Sequence, residues 1–179
     1  LWPMRIRAQE DAIAIDLTLK PGKLLVLQGD QGLSQKSAEP GNASYYYSYS
    51  RLPTEGTIQI SGQTFTVKGS SWLDREWSTS ALGPEQSGWD WFALQLDDGR
   101  ELMFYRLRRK DGGVDPFSKG VLVAADGQTR LLRSDEVDLQ PTGEWRSPQT
   151  GARYPAGWRL RIPAETLDLT VTPKVADQE

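Results

Sequence analysis

The sequence has no cysteine and no histidine among its 179 residues, and these two absences limit its chemistry. Without cysteine, the chain forms no disulfide, offers no thiolate nucleophile and builds no cysteine-ligated zinc or iron–sulfur site. Without histidine, a Ser-His-Asp triad and the common histidine-ligated metal sites are excluded within this chain. Any catalysis must therefore use Asp, Glu, Tyr, Lys or Ser side chains.

An excess of one charge and a long apolar run are also lacking. The 21 basic and 24 acidic residues are interspersed and give a net charge of -3, which predicts no nucleic-acid partner. No apolar run is long enough to span a bilayer. The length fits one domain, or one domain plus part of another. The chain begins at Leu1 rather than Met, which predicts a processed or trimmed product that a targeting signal could have preceded.

Period-2 alternation and frequent turn signals predict an all-β chain. In segment 11–20 the residues Ile13, Ile15, Leu17 and Leu19 fall on one face. Ser61-Gly62 and Asp97-Asp98-Gly99 are typical of tight hairpin turns between strands. Asp97-Asp98-Gly99 also lacks the further acidic ligands of a calcium loop. The sequence predicts loops at 29–43 and 151–157, a turn at 53–56 and a short helix near 134–137.

The spacing of the turns predicts an antiparallel up-and-down lipocalin-like β-barrel. The turn signals recur roughly every eight to fifteen residues, as in a meander. They delimit about a dozen strands, whereas a small barrel uses about eight. We therefore assign residues 53–179 to one barrel. Residues 1–52 are then the closing strands of a truncated preceding barrel, or a covering flap.

The most informative stretch is rich in tryptophan and in carboxylates. It reads Trp72-Leu73-Asp74-Arg75-Glu76-Trp77 and, after a polar loop, Gly88-Trp89-Asp90-Trp91-Phe92. Alternation places Trp72, Asp74 and Glu76 on one face of the first strand. It places Trp89 and Trp91 together on the second strand, with Asp90 opposite. Burial between indole rings favours the protonated form of a carboxyl, which makes Asp74 a candidate proton donor.

A purely structural interpretation of this stretch remains open at the sequence level. Tryptophans of this kind also fill the core of a β-barrel, with the acids on the outer face. Asp74 would then belong to an ion pair with Arg75, Arg106 or Arg108. A Tyr-rich strand at 45–49 has the same two interpretations, because strand-favouring aromatics line ligand mouths and pack barrel interiors alike.

These motifs, with Leu102-Met103-Phe104-Tyr105-Arg106-Leu107-Arg108, resemble a lipocalin-like family that contains carotenoid 1,2-hydratases and bacterial "predicted secreted hydrolases". The resemblance covers roughly residues 45–175. That family is built from two tandem lipocalin-like barrels. The resemblance therefore implies that this chain is the C-terminal barrel with the end of the first, and that the N-terminal barrel of the same protein is a partner.

The resemblance implies two functions. The first is binding of a bulky apolar ligand such as an isoprenoid, carotenoid or lipid, as a periplasmic or secreted carrier linked to an ABC transporter. The second is that of a hydro-lyase needing no cofactor and no metal, with Asp74 as the general acid that protonates a terminal isoprenoid double bond. Trp72 matches the aromatic two residues before that acid, and Tyr47 represents an upstream aromatic that falls within 45–49. Trp89 and Trp91 complete the implied ligand-binding set. Leu73 stands where the hydratases usually have histidine, and Trp72 where they have tyrosine.

Overall fold

A computed structural model describes residues 2–79 and 82–175 of the chain. The described residues form thirteen β-strands and two single-turn 3-10 helices, at Ser134–Glu136 and Pro163–Glu165. In chain order the strands are β1 (Met4–Glu10), β2 (Ile13–Leu19), β3 (Val26–Leu27), β4 (Leu33–Gln35), β5 (Ala43–Ile60), β6 (Gln63–Ser78), β7 (Gln86–Gln95), β8 (Glu101–Arg109), β9 (Lys119–Val123), β10 (Thr129–Arg133), β11 (Asp138–Arg146), β12 (Arg153–Ile162) and β13 (Leu167–Val171). No described helix is long and apolar enough to cross a membrane.

The strands form three sheets. In the first sheet β5 is central. Strand β6 pairs with one edge of β5, and β2, β3 and β4 pair with successive stretches of its other edge. Strand β1 pairs with β2. The second sheet has the order β10-β9-β8-β7 and the third the order β11-β12-β13. The all-β, antiparallel class is confirmed, with a lipocalin-like fold. Among the described strands, the hydrogen-bonded ladders do not close into one continuous barrel.

The chain divides into two compact units, Leu1–Leu131 and Leu132–Glu179. The first unit holds the first sheet and most of the second. The second unit holds the third sheet, in which β12 pairs with both β11 and β13. The predicted boundary between residues 52 and 53 falls inside β5. The assignment of residues 1–52 to a preceding barrel or flap stays a prediction.

Local sequence signals predicted the hairpins correctly. Several strands are longer than predicted, because they pair with strands that are distant in the sequence. Ser61 and Gly62 have φ values of 48° and 84°, the left-handed pair that a two-residue β-hairpin requires. The turn predicted at 53–56 is wrong, because β5 runs straight through it with β2 and β6 paired on its two edges. The loop predicted at 29–43 contains β4, and the one predicted at 151–157 contains the start of β12. The short helix near 134–137 is confirmed as a 3-10 turn.

A β-bulge interrupts the long ladder between β5 and β6. Tyr49 pairs with Leu73 and Leu52 pairs with Ser71, so β5 advances three residues while β6 advances two. An extra residue in one strand reverses which side its later residues face, because side chains alternate with period 2. Even-numbered residues of β5 therefore face one side of the sheet before the bulge and the other side after it.

A buried ionic network ties the segment after β2 to the second sheet. The Glu101 carboxylate is fully buried at the start of β8 and accepts hydrogen bonds from Lys23 Nζ at 2.8 Å and from Arg51 Nε. Lys23 Nζ also donates to the backbone carbonyls of Gly99 and Ala124. Both cations thus depend on one carboxylate that water does not reach.

Candidate functional site

An aromatic-walled recess lies in the first unit, between the first and second sheets. Its cavity volume is about 210 Å³. Side chains of β5, β6, β7 and β8 line it, together with the residue that follows β4: Lys36, Tyr46, Glu76, Ser78, Trp89, Trp91, Tyr105 and Leu107. Below it, a buried cluster of Tyr46, Met103, Tyr105 and Leu107 packs against Trp72, Leu82 and Phe117.

The register of β5 and β6 places the polar side chains of the site. Tyr46 is paired with Glu76 and Ser48 with Asp74, so these four side chains share one face of the sheet. Tyr46 and Ser48 are buried. Serines alternate with the tyrosine along β5, and their small side chains leave room for the carboxylates of the neighbouring strand. The predicted common face of Trp72, Asp74 and Glu76 is confirmed.

Asp74 is half-buried and its carboxyl accepts hydrogen bonds from two neutral donors. Ser48 Oγ donates to Asp74 Oδ1 at 2.5 Å, and Trp72 Nε1 donates to the same oxygen at 2.9 Å. The charge of Asp74 also contributes to the raised pKa of the nearby Tyr46 hydroxyl. Ser48 Oγ is itself fixed by Gln28 Nε2 at 2.9 Å. The carboxyl is thus held by hydroxyl and indole groups. Trp72 packs against the buried cluster and does not line the recess, and its ligand-binding role stays a prediction.

The cations proposed as partners of Asp74 lie elsewhere. Arg106 Nη2 pairs with Asp90 Oδ2 at 2.9 Å, and Arg108 Nη1 lies 3.8 Å from Asp90 Oδ1. Arg75 stacks over the Trp77 ring at 5.1 Å. Within residues 2–79 and 82–175, no Lys or Arg nitrogen lies within 4 Å of the Asp74 carboxyl. The buried ion pair of this region belongs to Asp90, on the opposite face of β7 from Trp89 and Trp91.

Tyr46 connects Asp74 to the recess. Its hydroxyl oxygen accepts a hydrogen bond from Trp91 Nε1 at 3.3 Å, and its side chain shares a sheet face with Asp74. Burial, and next the charge of Asp74, raise the pKa of Tyr46 above its usual value of 10.0. The phenol therefore keeps its proton over the whole physiological range. Asp74 itself does not line the recess, whereas Tyr46, on the same face of the sheet, does.

A second ionisable pair lines the recess directly. Lys36 Nζ lies 3.0 Å from Glu76 Oε1, and Ser44 Oγ donates to the same oxygen at 2.5 Å. The ammonium group also lies 4.0 Å from the centre of the Tyr105 ring. Burial lowers the pKa of Lys36, and the carboxylate of Glu76 partly opposes that shift. The recess thus offers one cation and one carboxylate beside the rings of two tyrosines and two tryptophans.

Trp89 and Trp91 line the recess but do not fill a core. Their exposed fractions are 51% and 46%, and that of Trp77 is 50%. The interpretation that these tryptophans pack the interior is therefore wrong for all three. Half-exposed indoles beside a cavity are free to contact a ligand.

Tyr47 lies on the other side of the first sheet. Its ring contacts Tyr49 at 6.2 Å and Trp77 at 5.8 Å between centroids. Alternation along β5 places it opposite Tyr46 and Ser48. The aromatic of the 45–49 segment that lines the recess is Tyr46. A ligand-binding role for Tyr47 stays a prediction that would need a ligand beyond this recess.

Sequence analysis missed Lys36, Tyr46 and Tyr105 as site residues. The available signal was the alternation Ser44, Tyr46, Ser48, Ser50, in which one large polar side chain stands among small ones. Lys36 lay in a segment predicted as a loop, and only the fold brings it to β8. Within the described residues, no group of three or more Asp or Glu side chains could hold a metal ion.

The buried tyrosines should make the protein less stable in alkali. Burial raises the pKa of Tyr105 as it does that of Tyr46. Above pH of about 10 the unfolded chain loses these protons and the folded chain keeps them, so the free energy of unfolding should fall as pH rises. Buried Lys36 and Lys119, whose pKa values are lowered, act in the opposite direction as pH approaches the lysine value of 10.5.

Tyr105→Phe separates the two effects. Urea unfolding between pH 9 and 11.5 should give a shallower decline for Tyr105→Phe than for the unchanged chain. Loss of the 2.8 Å hydrogen bond to Ser34 should shift the whole curve without changing its slope. Equal slopes for both proteins would show that Tyr105 titrates alike in the folded and unfolded chains.

Comparisons with known proteins match the chain to the model of one protein family and to two solved structures of the same fold. The family model described as AttH-like matches residues 1–179. A candidate AttH from Nitrosomonas europaea is 38% identical, with a TM-score of 0.87 over 97% of this chain and 53% of its own. Kievitone hydratase from Nectria haematococca is 19% identical, with a TM-score of 0.78 over 99% of this chain and 54% of its own. The second likeness, at this identity, shows a shared fold alone. The chain spans about half the length of both solved proteins, and no curated protein matches it.

Proposed function

This chain belongs to the AttH-like family, and from that membership and the recess we propose that it carries the acid–base centre of a hydro-lyase. The reaction is the addition of water to a carbon–carbon double bond of an apolar, isoprenoid-like group, or the reverse elimination. One observation carries the proposal: Tyr46, in the aromatic wall of the recess, shares a sheet face with Asp74, and its hydroxyl is close enough for the charge of Asp74 to contribute to its raised pKa. The hydratase named among the proteins of the same fold supports it.

The proton is delivered from Asp74 through Tyr46. Trp91 Nε1 already donates to the phenolic oxygen, which leaves that oxygen one further lone pair. Protonated Asp74 donates to that lone pair and turns the phenolic hydrogen towards the recess. As Tyr46 passes its own proton to the alkene carbon, it receives one from Asp74, so the phenol is restored and Asp74 becomes a carboxylate.

The cation that follows is stabilised by the walls of the recess. The Glu76 carboxylate in the recess wall is paired with Lys36, and the faces of Trp89, Trp91 and Tyr105 attract the tertiary carbocation by cation–π interaction. Water then adds to the cationic carbon and gives its surplus proton to the Tyr46 oxygen as Tyr46 returns its own proton to the Asp74 carboxylate, which completes the cycle. Glu76, held by Lys36 and Ser44, lies in the recess wall where it can hold that water by a hydrogen bond.

The size of the recess limits what this chain holds. Ligand pockets usually have volumes of roughly 300–1,000 Å³, and the recess has about 210 Å³. It therefore receives one end of a long isoprenoid, with the rest of the molecule outside. Carriage of a whole carotenoid or lipid, a transporter partner, a periplasmic or secreted location and a narrower placement among carotenoid 1,2-hydratases stay predictions of the sequence resemblance.

Turnover is the direct test of this proposal. The chain is incubated with prenylated phenols and with acyclic carotenoids in oxygen-18 water, and the products are analysed by mass spectrometry. Gain of one labelled water on the isoprenoid end is the expected result, accompanied by saturable quenching of tryptophan fluorescence. Saturable quenching without product would show that the chain binds the ligand without converting it. The absence of both quenching and product with a folded chain would refute the proposed site.

A further inference from the structure

One face of the first sheet is apolar and exposed, away from the recess. Where β1, β2, β5 and β6 run side by side, the register places the side chains of one face in successive rows. We call this surface the isoleucine face: Ile6, Leu17 and Val67 in one row, Ala8, Ile15, Ile58 and Phe65 in the next, and Ile13 and Ile60 in the last, where Glu10 and Gln63 flank them at the two edges.

The other face of the same four strands is polar and exposed to solvent. Asp16 accepts an ion pair from Arg5 Nη2 at 2.6 Å and one from Arg7 Nε at 3.1 Å, and Lys20 pairs with Glu55 at 2.6 Å. An antiparallel sheet with one polar and one apolar face normally packs the apolar face on a second layer. Four strands about 4.8 Å apart and about seven residues long at 3.4 Å each make a face of about 450 Å².

That second layer is not supplied by the described residues. The exposed fractions are 43% for Ile6, 56% for Ile13, 48% for Ile60 and 40% for Phe65. A shallow groove of about 580 Å³ runs along the β1–β2 hairpin, with Ile13 and Ile15 in its wall. Contiguous apolar surface of several hundred Å² on a folded protein marks a place where another surface packs.

We propose that the isoleucine face packs against the protein segment that occupies the other half of AttH-length chains. Both solved relatives carry nearly as many residues outside the matched region as inside it, since the match covers 53% and 54% of them. The area favours a covalently linked neighbour over a second copy. Stable complexes bury about 800 Å² on each partner, whereas contacts between domains of one chain total about 600–1,500 Å².

The partner surface must itself be apolar. The nine residues of the isoleucine face are apolar, and the only charged side chain that the register adds to their rows is Glu10 at one edge, so most of the face offers nothing for a charged or strongly polar partner to pair with. A linked segment needs little intrinsic affinity, because the linker supplies a high effective concentration.

Thiol protection tests the proposal cleanly, because the chain contains no cysteine. Ile60→Cys places one thiol on the isoleucine face. Gln59→Cys, its neighbour on β5, places one on the polar face as a matched control, and both positions are exposed. Each variant is made in the 179-residue chain and in the same chain joined to the unmatched segment of the Nitrosomonas europaea relative, in the order that relative carries them. The rate of reaction with Ellman's reagent is the readout.

Joining the segment should slow labelling of Ile60→Cys at least about tenfold and leave that of Gln59→Cys within about twofold. Phe65→Cys and Thr64→Cys on β6 repeat the comparison should Ile60→Cys fail to fold. Equal labelling rates with and without the segment would overturn the proposal. Protection of Ile60→Cys that grows with the concentration of the isolated chain would assign the face to a second copy. Protection by phosphatidylcholine vesicles would assign it to a membrane surface.

Discussion

Asp74→Asn is expected to slow hydration by about 10²–10⁴-fold, the usual contribution of a positioned general acid. The amide keeps the shape of the carboxyl and can still accept from Trp72 Nε1 at 2.9 Å. It has no acidic proton to pass to Tyr46, so the relay into the recess stops. Ligand affinity, measured by tryptophan quenching, should stay within about threefold, because Asp74 does not line the recess.

Two further variants test whether the loss of activity in Asp74→Asn comes from the relay between Asp74 and Tyr46. Tyr46→Phe should lose activity to a similar degree, and the double variant should be little worse than either single one, because the two groups act as a unit. Asp16→Asn, which alters an exposed carboxylate on the far part of the same sheet, should leave turnover unchanged. Full turnover by a folded Asp74→Asn chain would remove the relay from consideration and leave Glu76 as the acid to examine.

Glu101→Gln is expected to destabilise the fold by about 3 kcal/mol. Loss of one partner of a buried pair costs about 3–5 kcal/mol, since the opposite charge stays behind without compensation. Here two cations stay behind: Lys23, with 15% of its side chain exposed, and Arg51, with 32%. The exposure of Arg51 allows some rehydration and puts the expected value at the lower end.

Urea unfolding measures this loss, and an exposed pair supplies the control. Glu55→Gln removes the partner of Lys20, and both side chains are about half exposed at 46% and 53%. Its unfolding midpoint should therefore remain close to that of the unchanged chain, as is usual for surface ion pairs. A midpoint for Glu101→Gln equal to that of Glu55→Gln would show that water reaches the Glu101 site.

Sequence reasoning succeeded where the determinants are local. Ser61-Gly62 specifies its hairpin through backbone angles that few other residues adopt, and strict alternation placed Asp74 and Glu76 on one face. It failed at Pro53, which is a turn residue by composition. Residue 53 instead continues β5, where it is held opposite Ser70 by neighbouring strands distant in sequence.

The site was half predictable for the same reason. Trp89 and Trp91 follow from alternation and were expected to contact a ligand; they do line the recess. The choice between Tyr46 and Tyr47 depends on which face of β5 points towards the recess. Three consecutive tyrosines place the same residue type on both faces, so the sequence does not distinguish them. Lys36 could not be predicted, because its approach to the Tyr105 ring is a tertiary contact between segments 69 positions apart, 105 minus 36.

Because of the β-bulge, the fold depends more on the number of residues in β5 than on which residues they are. Leu52 is opposite Ser71 only because one extra residue lies between it and Tyr49. Deleting a single residue there would turn every side chain of β5 on one side of the bulge to the opposite face of the sheet, although the amino acids would be unchanged. Either Tyr46 would leave the recess or Ile58 and Ile60 would turn to the polar face. Conservative substitutions in this segment should therefore be tolerated far better than any one-residue insertion or deletion.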